Sequence, residues 1–322
     1  MQTLSLISPN NILQADVSCA GGILTSLRKM LDPDGAMELL YQAPWINENS
    51  MDGDIPPLMQ QLAGEWVGVP FGCVAQDDSL FFRNAPHGLP VNGEWYFTAS
   101  TSHDAAIRYD YPIAYPLSHL ERHIALTDDS VNFSLTITAR RNCRFPLGLH
   151  PIFPIGGDAG AVDILVSGDG MVYPQATEPG VSRLIPSAHF TSLRDVPLLG
   201  GAMQDISHLP LPYNTEEIVQ LLAPQGLVTL RYPQRRLQLT LKWDSELLPH
   251  CLLWISNGGR SLPPWNGRNY CLGVEPICSA WDLGPESLAS PPITRHCAPT
   301  SVNLMSNEVL TLSYQLHCSE IN

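Results

Sequence analysis

The feature that most constrains this chain is strict alternation of apolar and polar residues with a period of two. Val131-Asn132-Phe133-Ser134-Leu135-Thr136-Ile137-Thr138 shows it without a break, and Leu237-Gln238-Leu239-Thr240-Leu241-Lys242-Trp243 repeats it. Leu227-Val228-Thr229-Leu230-Arg231-Tyr232 follows it approximately, and Val309-Leu310-Thr311-Leu312-Ser313-Tyr314-Gln315-Leu316 closes the chain with it. Successive side chains of a strand point to opposite faces, so each run reads as a half-buried β-strand. Helical periodicity is scarce, and Glu216-Glu217-Ile218-Val219-Gln220-Leu221-Leu222 fits either a short helix or a strand. The 29 prolines and 24 glycines fall between such runs rather than in one linker. Many short strands separated by turn residues imply an all-β antiparallel sandwich or barrel. No composition break or internal repeat divides the chain, so residues 1–322 are expected to form a single domain.

Charge and segment content narrow the function classes. Acidic residues outnumber basic ones 31 to 17, a net charge of -14 that repels phosphate backbones and makes nucleic acid an unfit partner. A neutral small molecule fits this balance best. No stretch reaches the roughly 18 apolar residues of a membrane helix, and Met1–Ile7 carries no basic segment of the kind that opens a signal peptide. The eight cysteines are scattered with no Cys-x-x-Cys pair, so reduced thiols in a cytoplasmic protein are expected.

Three segments set ionisable groups among proline, glycine and aromatic residues: Ala85–Trp95, Pro146–Pro154 and Tyr270–Ile277. His150 stands alone in an apolar stretch, where it is either a backbone-bonded core histidine or a functional group. Glu275 lies between Val274 and Pro276 at the end of a run that reads as a buried strand, and a buried carboxylate is costly unless paired or used. His87 precedes Gly88, so a tight turn alone accounts for that pair. The chain has no His-x-x-x-His, P-loop, dinucleotide-binding glycine fingerprint or Gly-x-Ser-x-Gly elbow, so neither metal nor organic cofactor is expected.

The order of these segments resembles the galactose mutarotase-like (aldose 1-epimerase) superfamily. The resemblance rests on His87-Gly88 with Trp95 downstream, on Gly148-Leu149-His150-Pro151-Ile152-Phe153, and on Gly273-Val274-Glu275-Pro276. Ala20–Leu27 followed by Glu38-Leu39-Leu40 is similar to the family's opening hairpin, and Gly64–Gly72 to its Pro-x-Phe-Gly strand. The resemblance implies a large antiparallel β-sandwich, the β-supersandwich, whose concave face holds a sugar. It implies that Glu275 is the general base, that His150 is the general acid and that His87 hydrogen-bonds the sugar near its ring oxygen. Trp95 would offer an apolar platform for a sugar face, or would simply pack in the core. Removing the O1 proton while protonating O5 opens the ring, and closure after rotation about C1–C2 gives the other anomer. Two groups within hydrogen-bond reach of one acetal are expected to stand roughly 5 to 8 Å apart.

Two departures accompany the resemblance. Galactose-type epimerases carry a substrate-binding arginine in the strand matching Val67–Cys73, and no basic residue occurs there. Hexose-6-phosphate epimerases carry an arginine just before that strand's first glycine, where this chain has Ala63. Arg83, Arg108, Arg140, Arg141 and Arg144 are the remaining candidates for an anion site, or are solvated surface charges. A catalytically silent carbohydrate-binding protein, a hexose-phosphate epimerase and a sugar lyase or hydrolase are the alternatives.

Overall fold

The protein was examined as a computed structural model. It describes residues 2–31, 35–46, 48, 55–72, 85–289, 293 and 298–321; Cys73, Arg83 and Cys297 lie outside these. The expected all-β sandwich is what the chain forms. One sheet has eleven strands and a second has nine, with every neighbouring pair of named strands antiparallel. The alternating runs all fall in the nine-stranded sheet, in strands Leu227–Tyr232, Leu237–Trp243, Val309–Glu320 and Ser130–Ala139. Each turns one face inward and one toward solvent, and Ser130–Ala139 shows this as strictly alternating burial from Val131 onward.

The centre of the eleven-stranded sheet is covered on both faces. Strands Thr215–Leu222 and His250–Asn257 are buried at every residue, as are all but the ends of Leu147–Pro154 and Tyr270–Cys278. Their even and odd positions still diverge. Leu272, Val274 and Cys278 join the main core with Leu149, Val67 and Leu253, whereas Cys271 and Ile277 join a second cluster with Trp66, Ile152, Leu252 and Trp254. That second core is closed by Tyr41, Trp45, Leu58, Leu62, Phe71, Trp265 and Trp281 from the connecting segments. Burying a large apolar side chain is worth about 1.5–3 kcal/mol, so this face is a strong packing surface in its own right. Glu216–Leu222, open between helix and strand by sequence, lies in a strand because burial on both faces removes the need for alternation.

One polar tie crosses the main core. Arg122, from Leu117–Leu126 in the nine-stranded sheet, donates to Glu65 Oε2 at 2.5 Å, to the Gly22 carbonyl at 2.5 Å and to the Tyr314 hydroxyl at 2.9 Å. Tyr314 in turn donates to Glu65 Oε1 at 2.6 Å. Glu65 is cross-strand partner to Pro151, next to His150, so this tie anchors the strands that carry the site.

Candidate active site

Strand register brings the site together. The partners Gly148–Ile277 and Ile152–Gly273 bracket His150 and Glu275, which therefore lie opposite each other on adjacent strands. Trp66 is the partner of His150 on one side, and Leu252 is the partner of Glu275 on the other. A row of four side chains thus crosses four strands on the face turned away from the second sheet. His87 reaches the row from the turn before the short helix Leu89–Asn92. Its φ of 58° is left-handed, and Gly88 follows at 90°. A Cβ at Gly88 would lie 2.6 Å from the Val69 carbonyl oxygen, so only glycine lets this turn sit against the Val69-Pro70 backbone.

These residues line one cavity that opens to solvent. Trp66, Trp254 and Trp265 form much of its wall, with Arg260 and Asp282 also facing it. His150 is stacked on Trp66 with ring centroids 3.9 Å apart and 20° between planes. The His87 ring stands edge-on to His150 at 5.4 Å. The Gly72 N–H donates to His87 Nδ1 at 3.4 Å, which leaves the proton on Nε2.

The gap expected between acid and base is not what the structure shows. His150 Nε2 lies 3.2 Å from Glu275 Oε1, because two polar groups enclosed this deeply have each other as nearest counterpart. They are not aligned as a hydrogen bond, and Glu275 Oε1 and His150 Nδ1 make none among the described residues. Space for the carboxylate comes from Gly273, two residues earlier on the same face, where a Cβ would collide with Glu275 Oε1.

Burial dominates the electrostatics. Glu275 is 2% exposed, and burial pushes its carboxyl well above the usual carboxylate range, with Asp282 adding to the effect. Burial pulls the His150 imidazole well below its ordinary value, and neighbouring His87 adds to this. His87 is brought down to about 3 by burial. Burial thus favours the uncharged form of both imidazoles and of the Glu275 carboxyl alike.

Other sequence candidates lie elsewhere. Trp95 does not line the cavity: it is buried in the main core beneath Gly22, with its indole N–H bound to the Pro90 carbonyl at 2.8 Å. The indoles that line the cavity are instead Trp66, Trp254 and Trp265, none of which stands out in the sequence. Arg108 pairs with Asp110 and Glu121 at the surface, Arg140 and Arg141 hold loop carbonyls, and Arg144 donates to Ser301 at 2.7 Å. Among the described residues the cationic side chain in the cavity is Arg260, from the connection between His250–Asn257 and Tyr270–Cys278. The described cysteines, Cys19, Cys143, Cys251, Cys271, Cys278 and Cys318, are free thiols. No group of histidine, cysteine and carboxylate side chains suits a metal among the described residues, and no helix there is long and apolar enough to cross a membrane.

Two sheets arranged in this way, with an indole-walled cavity on the doubly covered one, have the galactose mutarotase-like fold. No protein-family model and no curated protein sequence matches the chain. Among solved structures it is similar to the aldose epimerase homologue of C. elegans, at 13% identity, a TM-score of 0.61 and 100% coverage of both chains. It is similar to a galactose mutarotase-like protein of Lactobacillus casei ATCC 334, at 17% identity and a TM-score of 0.59, covering 99% of this chain and 100% of that one. A galactose mutarotase related enzyme of Lactobacillus acidophilus has 14% identity and a TM-score of 0.63, covering 99% and 98%. At such identities the likeness is one of fold.

Proposed function

We propose that this protein is an aldose 1-epimerase-type enzyme that interconverts the α and β anomers of a monosaccharide. The observation that carries this reading is the buried contact of His150 Nε2 with Glu275 Oε1 in an indole-walled cavity. Anomeric O1 and ring O5 are bonded to one carbon. Two groups 3.2 Å apart can therefore serve both oxygens from one side of the sugar.

The proton inventory fits the reaction. Transfer of the Glu275 proton to His150 Nε2 converts a neutral pair into carboxylate and imidazolium with no change in net charge. The carboxylate takes the O1 proton as the imidazolium protonates O5. The C1–O5 bond breaks, C1 becomes an aldehyde carbon, and the pair again holds one proton as carboxylic acid and neutral imidazole. Rotation about C1–C2 and reversal of the transfers close the ring on the other face. His87, with its proton on Nε2, donates to a ring or hydroxyl oxygen without changing charge. Positioned proton transfer of this kind is worth about 10²- to 10⁴-fold.

Anomer exchange followed by NMR over a panel of aldoses tests the reading. Exchange well above the buffer rate for at least one aldose is the expected result. A protein that binds a sugar without accelerating exchange would instead be a silent carbohydrate-binding protein.

A further inference from the structure

The acid–base pair accounts for one part of the cavity. We propose that Arg260 and Asp282 form its specificity-determining part, a donor–acceptor pair that holds hydroxyls remote from the anomeric carbon and selects an unphosphorylated aldose. This inference rests on the reading of the cavity as a sugar site.

Arg260 is built into the wall rather than left mobile. Its Nε lies 2.9 Å from Glu216 Oε1, and its guanidinium sits 4.4 Å from the centroid of Trp265. Glu216 is itself held by the Trp254 indole N–H at 2.6 Å and by the Ser256 hydroxyl at 2.8 Å. This ion pair, not aligned as a hydrogen bond, faces the Nε edge, and the two terminal nitrogens, which have no acceptor among the described residues, are left for a ligand. Asp282 is half-buried and its carboxyl accepts from Tyr173, but its Oδ1 is enclosed and without a hydrogen bond among the described residues. An enclosed acceptor with no protein donor on the wall of an open cavity is where a ligand hydroxyl would bind.

Position separates Arg260 from the chemistry. The His150 ring is 5.8 Å from Trp254, and Trp254 is 6.0 Å from Trp265, over which Arg260 lies. Arg260 thus stands beyond two indoles from the acid–base pair, outside proton-transfer range and suited to the far side of a pyranose ring. Charge then decides the ligand class. The single cation of the described lining is already countered by Glu216, and Asp282 faces the same space. A phosphate of nearly two negative charges would meet more carboxylate than cation here. Neutral hydroxyls accept from Arg260 and donate to Asp282.

The test measures binding and exchange separately, using glucose, galactose, xylose and glucose 6-phosphate as probes. Ligand-observed NMR titration gives Kd, and anomer-exchange kinetics give kcat and KM. Wild type should bind at least one unphosphorylated aldose, and glucose 6-phosphate no more tightly than glucose. Arg260→Gln and Asp282→Asn should each raise Kd and KM roughly tenfold to a hundredfold, the cost of losing hydrogen bonds to a charged group, while kcat of Arg260→Gln changes less than about threefold. Arg260→Lys keeps the charge opposite Glu216 and so guards against misfolding; losing the planar fork, it should still raise KM. Tighter binding of glucose 6-phosphate than glucose, or wild-type Kd and KM in folded Arg260→Lys and Asp282→Asn, would overturn the inference. Aldose binding that the variants weaken, without exchange in wild type, would sustain this inference and refute the epimerase reading. Exchange in wild type with unaltered KM in the variants would do the reverse. Binding of none of the four probes would sink both.

Discussion

Replacing Arg122 by methionine gives the sharpest test of how the two sheets are joined. Methionine roughly fills the space of the arginine stem but removes three donated hydrogen bonds, to Glu65, Tyr314 and Gly22. Glu65, 2% exposed, is left as a buried carboxylate whose remaining side-chain donor among the described residues is the Tyr314 hydroxyl. Breaking one member out of a buried ion pair costs about 3–5 kcal/mol. With an unfolding entropy of about 2.1 cal/mol/K per residue, 322 residues give roughly 0.7 kcal/mol per kelvin. The expected loss in Tm is therefore about 4–7 °C, read by circular dichroism, with a matching fall in the urea midpoint. A triple variant, Glu65→Met with Arg122→Met and Tyr314→Phe, removes every charged member and should recover most of the loss, since an apolar replacement of a buried pair is often neutral. A single variant within about 1 kcal/mol of wild type would refute the reasoning, as would a triple variant no more stable than the single one.

Three further outcomes follow from the site. Gly273→Ala places a methyl against Glu275 Oε1 and should slow anomer exchange roughly a hundredfold while the protein stays folded, because small misplacements of reacting groups are that costly; an unchanged rate would show that the carboxylate position is not critical. Acid stability should depend on the buried histidines: His87, lowered to about 3, is neutral in the fold but protonated in the unfolded chain below about pH 6.5. Its contribution is present above that pH and is lost as pH falls toward 3, so His87→Asn should flatten the loss of Tm over this window. Glu275 acts in the opposite sense, because its raised folded value makes the wild type lose stability as pH rises above about 4.5; the Tm advantage of Glu275→Gln over wild type should grow with pH and vanish in acid.

The strands readable directly from periodicity were those with one wet face. Ser130–Ala139, Leu237–Trp243 and Val309–Glu320 alternate because solvent meets every second residue. The central strands of the sheet that carries the site have no such face, so they read as featureless apolar runs, and Glu216–Leu222 could not be told from a helix. His150 and Glu275 were legible because a lone histidine and a lone carboxylate in apolar runs require an explanation, and the family resemblance supplied one. Their mutual contact was not legible, since it depends on register between strands about 125 residues apart. Register also explains the exchange of tryptophans: Trp66 is the cross-strand partner of His150, while Trp95 is held in the other core by Pro90. Arg260 lies among Gly258, Gly259 and Ser261 in a connection without periodicity, and its role emerges only when Trp265 and Glu216 close around it.

The most direct test of the central claim compares anomer exchange in wild type and Glu275→Gln, by polarimetry or NMR on the aldose that wild type handles fastest. Glutamine keeps the shape of the side chain but can neither give up the shared proton nor accept one from O1. The rate should fall by about 10²- to 10⁴-fold, on the order of 3 to 5 kcal/mol in barrier height, with sugar affinity nearly unchanged. His150→Asn should fall in the same direction, through loss of the proton donor to O5. Equal rates in wild type and Glu275→Gln would make Glu275 a structural carboxylate and would contradict the account.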